Sequence, residues 1–170
     1  MAVEIERKFL IPPEHHARFV GRAGGTVMEQ VYLSADPAHT TRIRVLTGPE
    51  GTTAVMTVKG PGGVARPEFE FPIPLEQARG ILDTLRPPGL HKTRHLVHHE
   101  GHTWDVDVVT VEGGRVLVVA EIEAPTVEAV QAVPLPPWVG REVTGDPMFT
   151  MSQLLTPEAR QRAHDVAKLA

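Results

Sequence analysis

The feature that most restricts the fold of this chain is a set of charged residues spaced two positions apart. Residues that favour strands stand between them, and both members of each pair carry the same sign. The six pairs are Glu4 and Glu6, Arg42 and Arg44, Glu68 and Glu70, Lys92 and Arg94, Asp105 and Asp107, and Glu121 and Glu123. Side chains two positions apart on a strand share a face. Each pair therefore predicts a strand with one ionic face.

Hydrophobic periodicity and clusters of glycine and proline divide the chain into short strands, turns and a few helices. The pattern predicts strands over 3–9, 27–33, 41–47, 53–59, 66–71, 92–97, 102–111 and 115–124. Helical spacing predicts helices over 14–22, 75–85, 126–133, 147–155 and 157–169, with Thr126 as an N-cap. No internal repeat or second domain is indicated, so residues 1–170 are interpreted as a single domain.

Two arrangements of these strands place the like-signed pairs differently. In a sandwich the charges face solvent, and the apolar faces form a common core. In a closed barrel the charges line the interior, and the apolar faces turn outward under helices such as 75–85. Like charges close together are destabilising, so the barrel would need counter-ions: metal for the acids and a polyanion for the bases. Periodicity alone leaves both arrangements open.

Composition excludes several classes of function. The net charge is −4, so no basic field indicates a nucleic-acid partner. The chain has no cysteine, which excludes disulfides, thiolate metal sites and a cysteine nucleophile. No signal peptide or membrane span is indicated. We expect a cytoplasmic protein, either a monomer or a homodimer, that binds neither nucleic acid nor membrane.

Nine short motifs occur in an order that resembles a known family. They are Glu4-Ile-Glu-Arg-Lys8, Gln30-Val-Tyr-Leu33, Arg42-Ile-Arg44, Thr57-Val-Lys59, Arg66-Pro-Glu-Phe-Glu70, Lys92-Thr-Arg94, Trp104-Asp-Val-Asp107, Val118-Val-Ala-Glu-Ile-Glu123 and Gly140-Arg-Glu-Val-Thr-Gly-Asp146. The series is similar to that of CYTH domains, the triphosphate tunnel metalloenzymes, and covers about residues 1–155. Residues 149–152 lack the asparagine often found there. Residues 156–170 are predicted to form a C-terminal helix without a family counterpart.

The resemblance implies an α+β fold that is mainly antiparallel β. Its eight-stranded closed barrel would be a tunnel with a polar, charged interior and helices packed outside. It also implies hydrolysis or cyclisation of a small-molecule triphosphate with Mg²⁺ or Mn²⁺. Short bacterial members of this kind are mostly inorganic triphosphatases, which predicts cleavage of tripolyphosphate to pyrophosphate and phosphate.

The resemblance also implies a role for each charged group. The expected metal ligands are Glu4, Glu6, Asp107, Glu121 and Glu123. One Mg²⁺ usually takes one or two carboxylates, so five carboxylates suggest two ions. The expected triphosphate-binding residues are Lys8, Arg42, Arg44, Lys59, Lys92 and Arg94, held in place by Glu68 and Glu70. The alternative for both sets is ion pairing within the barrel wall.

Lys8 and Tyr32 are the expected catalytic pair, because a nearby cation would lower the pKa of the tyrosine. The resemblance suggests that they orient or deprotonate the attacking water. The alternative is a wall tyrosine that binds phosphate. His98, His99 and His102 rank below the carboxylates as ligands for Mg²⁺.

Three functions remain open at this stage. The first is an inorganic triphosphatase. The second is a nucleotide enzyme, either a class IV-like adenylate cyclase or a nucleoside or thiamine triphosphatase. The third is a non-catalytic polyphosphate-binding module. A ring-stacking role for Trp104 or Trp138 would favour the second, although core packing is the simpler expectation for both.

Overall fold

Eight strands form the body of the protein in a computed structural model that describes residues 3–36, 38–62, 64–85 and 89–168. Every predicted strand is present, and most extend by one to three residues at an end. The strands are β1 Val3–Leu10, β2 Thr26–Asp36, β3 His39–Gly48, β4 Gly51–Lys59, β5 Ala65–Pro72, β6 Gly89–His99, β7 His102–Thr110 and β8 Val116–Glu123.

The strands close into a barrel in the order β1-β5-β4-β3-β2-β6-β7-β8, and every neighbouring pair is antiparallel. The like-signed pairs point into the barrel, and the residues between them point outward. The sandwich arrangement is therefore excluded, and the expected charged-interior barrel is confirmed. No helix in the described ranges is long and apolar enough to cross a membrane.

Two helices cover the apolar outer face, as predicted. Helix α1, Leu75–Leu85, packs its apolar stripe over β2, β3 and β4, where it buries Val31, Ile43 and Val45. Helix α2, Val127–Gln131, begins after Thr126, whose side-chain oxygen accepts a hydrogen bond from Ala129 N at 3.1 Å. Helix α3, Pro157–Ala167, accounts for the described part of the predicted C-terminal helix; residues 169 and 170 lie outside that part.

Aromatic residues form the main apolar core outside the barrel. Phe9 and Trp104 project outward from β1 and β7, and their ring centroids lie 5.7 Å apart. Trp138 packs edge-on against Trp104 at 5.8 Å. Trp104 is fully buried and Trp138 is 3% exposed. Both tryptophans therefore serve packing, as expected, and stand on the opposite side of the wall from the ionic lining.

One end of the barrel interior is apolar, which the sequence patterns did not predict. Inward-facing residues of β1, β6, β7 and β8 meet the chain after β8 there and form an apolar plug. The buried members of the plug are Leu10, Leu90, Val109, Val111, Leu117, Val119, Val143, Phe149, Met151, Leu154 and Ala163. The ionic lining is therefore confined to the other part of the interior. The closed barrel with a charged interior is as expected from the resemblance, and the plug adds an apolar region at one end of that tunnel.

The segment after α2 also completes the barrel wall. Strand β1 pairs with β5 over only three residues, Val3 to Ile5. Beyond that point β1 is hydrogen-bonded to the later segment: Leu10 N donates to Arg141 O at 2.9 Å, and Val143 N donates to Lys8 O at 2.8 Å. Gly140 permits this approach, because a Cβ there would lie 2.9 Å from a ring carbon of Pro12.

Two predicted helices are wrong in type. Residues 14–22 contain only a 3₁₀ helix, Pro13–Arg18, and residues 147–155 contain only a 3₁₀ turn, Pro147–Phe149. The second error has a packing cause. Phe149 and Met151 both enter the apolar plug, and residues two positions apart do not share one face of an α-helix.

Candidate active site

A cavity of about 670 Å³ occupies the ionic part of the barrel, a size typical of small-molecule sites. Thirteen of the fourteen predicted site residues line it: Glu4, Glu6, Lys8, Tyr32, Arg42, Arg44, Lys59, Glu68, Glu70, Lys92, Arg94, Glu121 and Glu123. The remaining one, Asp107, is fully buried beneath this lining. Alternation along the strands accounts for this convergence, because each residue lies at an inward position of its strand.

Three carboxylates meet at one end of the cavity. One oxygen from each of Glu4, Glu6 and Glu123 lies within 4.8 Å of the others. Glu6 and Glu123 are direct cross-strand partners, and Glu4 follows two positions away on the same face of β1. A hard divalent cation such as Mg²⁺ or Mn²⁺ takes oxygen ligands of this kind. The donor set therefore fits the metal that the sequence motifs imply.

The electrostatics of these carboxylates differ. Burial and the neighbouring Glu4 and Glu6 raise the pKa of Glu123 to about 7. Burial and Glu121 also raise the pKa of Glu6. Burial opposes ionisation of Glu4 as well, but Lys59 and Arg66 outweigh it and lower its pKa to about 2. The fold thus holds the carboxylates of Glu6 and Glu123 close together although they repel each other when both are ionised. A divalent cation between them would reduce this repulsion.

Glu123→Gln is expected to raise the melting temperature at pH 8 and to leave it nearly unchanged at pH 4. The raised pKa means that the folded protein holds this proton up to about pH 7, whereas the unfolded chain releases it near 4.5. The stabilisation that Glu123 contributes is therefore complete below pH 4.5 and is lost as the pH rises through about 7. Thermal denaturation in EDTA at both pH values measures the effect; an equal or lower melting temperature at pH 8 would contradict it.

Asp107 and Glu121 lie deeper and are bound by cations of the wall. Asp107 accepts from Lys92 Nζ at 2.5 Å and from Arg94 Nε at 2.7 Å. Glu121 pairs with Lys8 at 2.8 Å and with Arg94 at 2.8 Å. Asp105, two positions from Asp107 on the same face, also accepts from Arg94. These acids therefore orient bases, and the carboxylates that converge on one point are Glu4, Glu6 and Glu123.

Two arginines of β3 present buried donors to the cavity. The Nε atoms of Arg42 and Arg44 are buried and have no hydrogen-bond partner within the described ranges. Burial and the nearby Arg42 and Arg94 lower the pKa of Arg44 to about 10. Glu70 offsets part of this cost, because it accepts from Arg44 at 3.3 Å and from Thr57 at 2.9 Å. An anion in the cavity would satisfy these donors and reduce the repulsion between the arginines.

The cavity also contains ion pairs that cross from strand to strand. Lys59 Nζ lies 2.7 Å from Glu4 and 3.3 Å from Glu68. Glu68 and Glu70 thus contact Lys59 and Arg44, as expected. The premise that each like-signed pair needs an external counter-ion was too strict, because closure of the barrel brings opposite signs together across the wall.

Lys8 and Tyr32 both line the cavity, but they engage different groups. Burial opposes the charge on Lys8, yet Glu121 and Glu6 outweigh it and raise the pKa of Lys8 above its usual value. Lys8 is therefore an ammonium group. The Tyr32 oxygen accepts a hydrogen bond from Gln30 Nε2 at 3.2 Å. The hydroxyl proton of Tyr32 therefore points away from Gln30 and can be donated to another group.

The sequence reasoning missed two contributors to the cavity. Arg66 contacts Glu4 at 2.7 Å and Glu6 at 3.4 Å; its position in register with Glu68 and Glu70 could have shown that it shares their inward face. The segment 143–153 also lines the cavity, through residues such as Asp146, Thr150 and Gln153. No periodic pattern indicates that contribution, because the segment is irregular.

Comparison with known proteins agrees with this fold. The CYTH domain family model matches residues 2–134. An inorganic triphosphatase of Acetivibrio thermocellus is 38% identical over 157 residues, which cover 91% of this chain and 94% of that protein. One from Nitrosomonas europaea is 32% identical over 148 residues, or 86% and 92%. The crystal structure of an inorganic triphosphatase, 26% identical, aligns with a TM-score of 0.56 over 99% of this chain and 96% of the other. A putative adenylate cyclase from Bacillus halodurans, 17% identical, shares the fold with a TM-score of 0.57 over 77% and 86%. The protein therefore belongs to the CYTH domain family.

Proposed function

We propose that the protein hydrolyses inorganic tripolyphosphate to pyrophosphate and phosphate with Mg²⁺ or Mn²⁺. One observation carries the proposal: the convergent carboxylates Glu4, Glu6 and Glu123 line the same cavity as seven lysine and arginine side chains. This arrangement suits a polyanion that carries a divalent cation at one end. The two relatives named as inorganic triphosphatases, which match most of this chain, support the same substrate.

The chain's own residues supply binding and charge neutralisation. Arg42 and Arg44 offer unpartnered Nε donors to phosphate oxygens, and Lys59, Lys92 and Arg94 add fixed positive charge. Phosphoryl transfer depends mostly on such positioning and electrostatic stabilisation. The metal, held by Glu4, Glu6 and Glu123, would polarise the phosphoryl oxygens and favour attack by water. A second ion, which five carboxylates suggested, would have to displace the bases that pair with Asp107 and Glu121.

Lys8 and Tyr32 are assigned to the attacking water. Because Lys8 stays protonated, we assign it to charge stabilisation and to orientation of the water. Tyr32 can donate its hydroxyl proton to that water or to a phosphate oxygen. In the reaction, water adds to the terminal phosphorus as the bridging P–O bond breaks, pyrophosphate leaves, and the water's protons pass to the products and buffer.

The deciding experiment is product analysis with tripolyphosphate, ATP and thiamine triphosphate, each with Mg²⁺, with Mn²⁺ and in EDTA. We expect metal-dependent release of phosphate from tripolyphosphate at the highest kcat/KM of the three. Cyclic AMP from ATP would instead establish the cyclase alternative. Binding of tripolyphosphate without turnover under any condition would establish the non-catalytic module.

The nucleotide alternative lacks a base-binding surface in the described part of the chain. Trp104 and Trp138 are buried outside the barrel, and Tyr32 is the one aromatic residue among those that line the cavity. A nucleotide enzyme would be expected to offer its base more aromatic or apolar area than this. Inorganic tripolyphosphate has no base and therefore needs no such surface.

Arg44→Ala is expected to weaken binding of tripolyphosphate about tenfold or more, because it removes a buried guanidinium aimed at the cavity. The increase should appear mainly in KM. Arg79→Ala is the matched control, since Arg79 lies on the exposed face of α1. Steady-state phosphate release measures both variants. Unchanged KM in Arg44→Ala would place this residue outside the binding site.

A further inference from the structure

Arg66 contacts two acids of the candidate metal site at once. It is the cross-strand partner of Glu4 in the short pairing of β1 with β5. Its Nε donates to Glu4 Oε2 at 2.7 Å, and its terminal nitrogen donates to Glu6 Oε1 at 3.4 Å. One guanidinium group thus spans two of the three convergent carboxylates.

The formal charges at this point nearly balance. Glu4, Glu6 and Glu123 carry up to three negative charges. Lys59, bound to Glu4 at 2.7 Å, and Arg66 offset two of them. A divalent cation that enters the cluster is attracted by the carboxylates and repelled by both bases. At these separations the attraction and the repulsion both exceed thermal energy at an effective dielectric constant of about 20.

We propose that Arg66 competes with the divalent cation for Glu4 and Glu6, and that it thereby sets the affinity of the site for metal. The inference rests on the proposed metal role of Glu4, Glu6 and Glu123. It gives Arg66 a positioning function that is separate from phosphate binding. A consequence is that the site takes the metal poorly by itself and prefers it together with a triphosphate, whose negative charge can hold the released guanidinium.

Exposure distinguishes Arg66 from Lys59 as the competing base. The Arg66 side chain is 23% exposed, whereas that of Lys59 is 8% exposed. Release of Arg66 from the carboxylates lets the guanidinium reach water at the rim. Release of Lys59 would leave a buried ammonium that still contacts Glu68 at 3.3 Å. The low cost of moving Arg66 makes it the base that yields to the metal.

The test measures Mn²⁺ binding without any triphosphate, by isothermal titration calorimetry at pH 8, so that the readout does not depend on turnover. Arg66→Gln removes the charge, and Arg66→Lys retains it. Arg7→Gln is the matched control, because Arg7 forms a comparable pair with Glu142 at 2.8 Å on the outer side of β1. Glu6→Gln tests the metal site itself. Circular dichroism and thermal denaturation confirm that each variant is folded.

We expect Arg66→Gln to bind Mn²⁺ about tenfold more tightly than the wild type. The Coulomb energy of the Arg66–Glu4 pair alone would predict a larger change, but solvent screens this partly exposed pair. Arg66→Lys and Arg7→Gln should stay within about twofold, and Glu6→Gln should weaken binding strongly. Equal or weaker Mn²⁺ binding by Arg66→Gln, with binding still dependent on Glu6, would overturn this inference and leave the proposed function intact. Equal binding by the wild type and Glu6→Gln would remove the proposed metal site and this inference with it.

Discussion

Glu6→Gln is expected to reduce the turnover of tripolyphosphate by about 10²–10³-fold, because loss of a metal ligand removes several kcal/mol of transition-state stabilisation. The variant should nevertheless fold. Burial and two neighbouring carboxylates raise the pKa of Glu6, so its ionised form is disfavoured in the folded protein. Neutralising it relieves repulsion while preserving the shape of the side chain.

Phosphate release and thermal denaturation, measured on the same preparations, separate these two effects. Glu29→Gln is the matched control. Glu29 also lies on a strand, but it alternates with Gln30 and therefore faces outward. We expect the control to retain the turnover and melting temperature of the wild type. Turnover of Glu6→Gln within about threefold of the wild type would exclude Glu6 as a metal ligand, since such a change is under 1 kcal/mol.

Asp107→Leu is expected to destabilise the fold by about 3–5 kcal/mol, the usual cost of leaving buried charge without its partner. Asp107 is fully buried between Lys92 and Arg94, and Lys92 is 3% exposed. For a chain of this length the change corresponds to a melting temperature lower by about 10 °C. Turnover should also fall, because both cations lose the acid that orients them towards the cavity.

A double variant distinguishes loss of a charge partner from a simple packing defect. Lys92→Met together with Asp107→Leu removes the buried Lys92–Asp107 pair, and such replacements are often close to neutral. Arg94 keeps Asp105 and Glu121 as partners in this variant. We expect the double variant to recover most of the lost melting temperature and none of the lost activity. Asp105→Asn, two positions away on the same face, should cost about 1 kcal/mol or less because its site is partly exposed. A double variant no more stable than Asp107→Leu would contradict the explanation.

The strand faces were readable from the sequence because a strand has a side-chain period of two. That period placed Glu4, Glu6 and Lys8 together on β1 and Arg42 and Arg44 together on β3. The choice of an inward ionic face came from the ordered motifs. The same period of two also places Arg66 on the face of Glu68 and Glu70, although Arg66 was not predicted as a site residue.

Distances between strands were not readable, because they depend on barrel closure and on the register of each pair. Closure of the barrel brings Glu4 to Lys59 and Arg66, and it brings Glu121 to Lys8. The negative charges of Glu6 and Glu123 are therefore less fully neutralised by neighbouring bases. Five acids that look equivalent in sequence thus divide into a convergent trio and two, Asp107 and Glu121, that lie outside it.

Local sequence by itself determined the strand segments, the apolar stripe of α1, the Thr126 cap and the faces on which charges share a strand. All of these depend on neighbours a few residues away, where the geometry of the backbone fixes the outcome. Only the tertiary structure decided that the segment after α2 fills one end of the barrel and completes its wall beside β1. The contacts with β1 join residues more than 100 positions apart, and the segment reaches them through irregular backbone whose course depends on the space it fills.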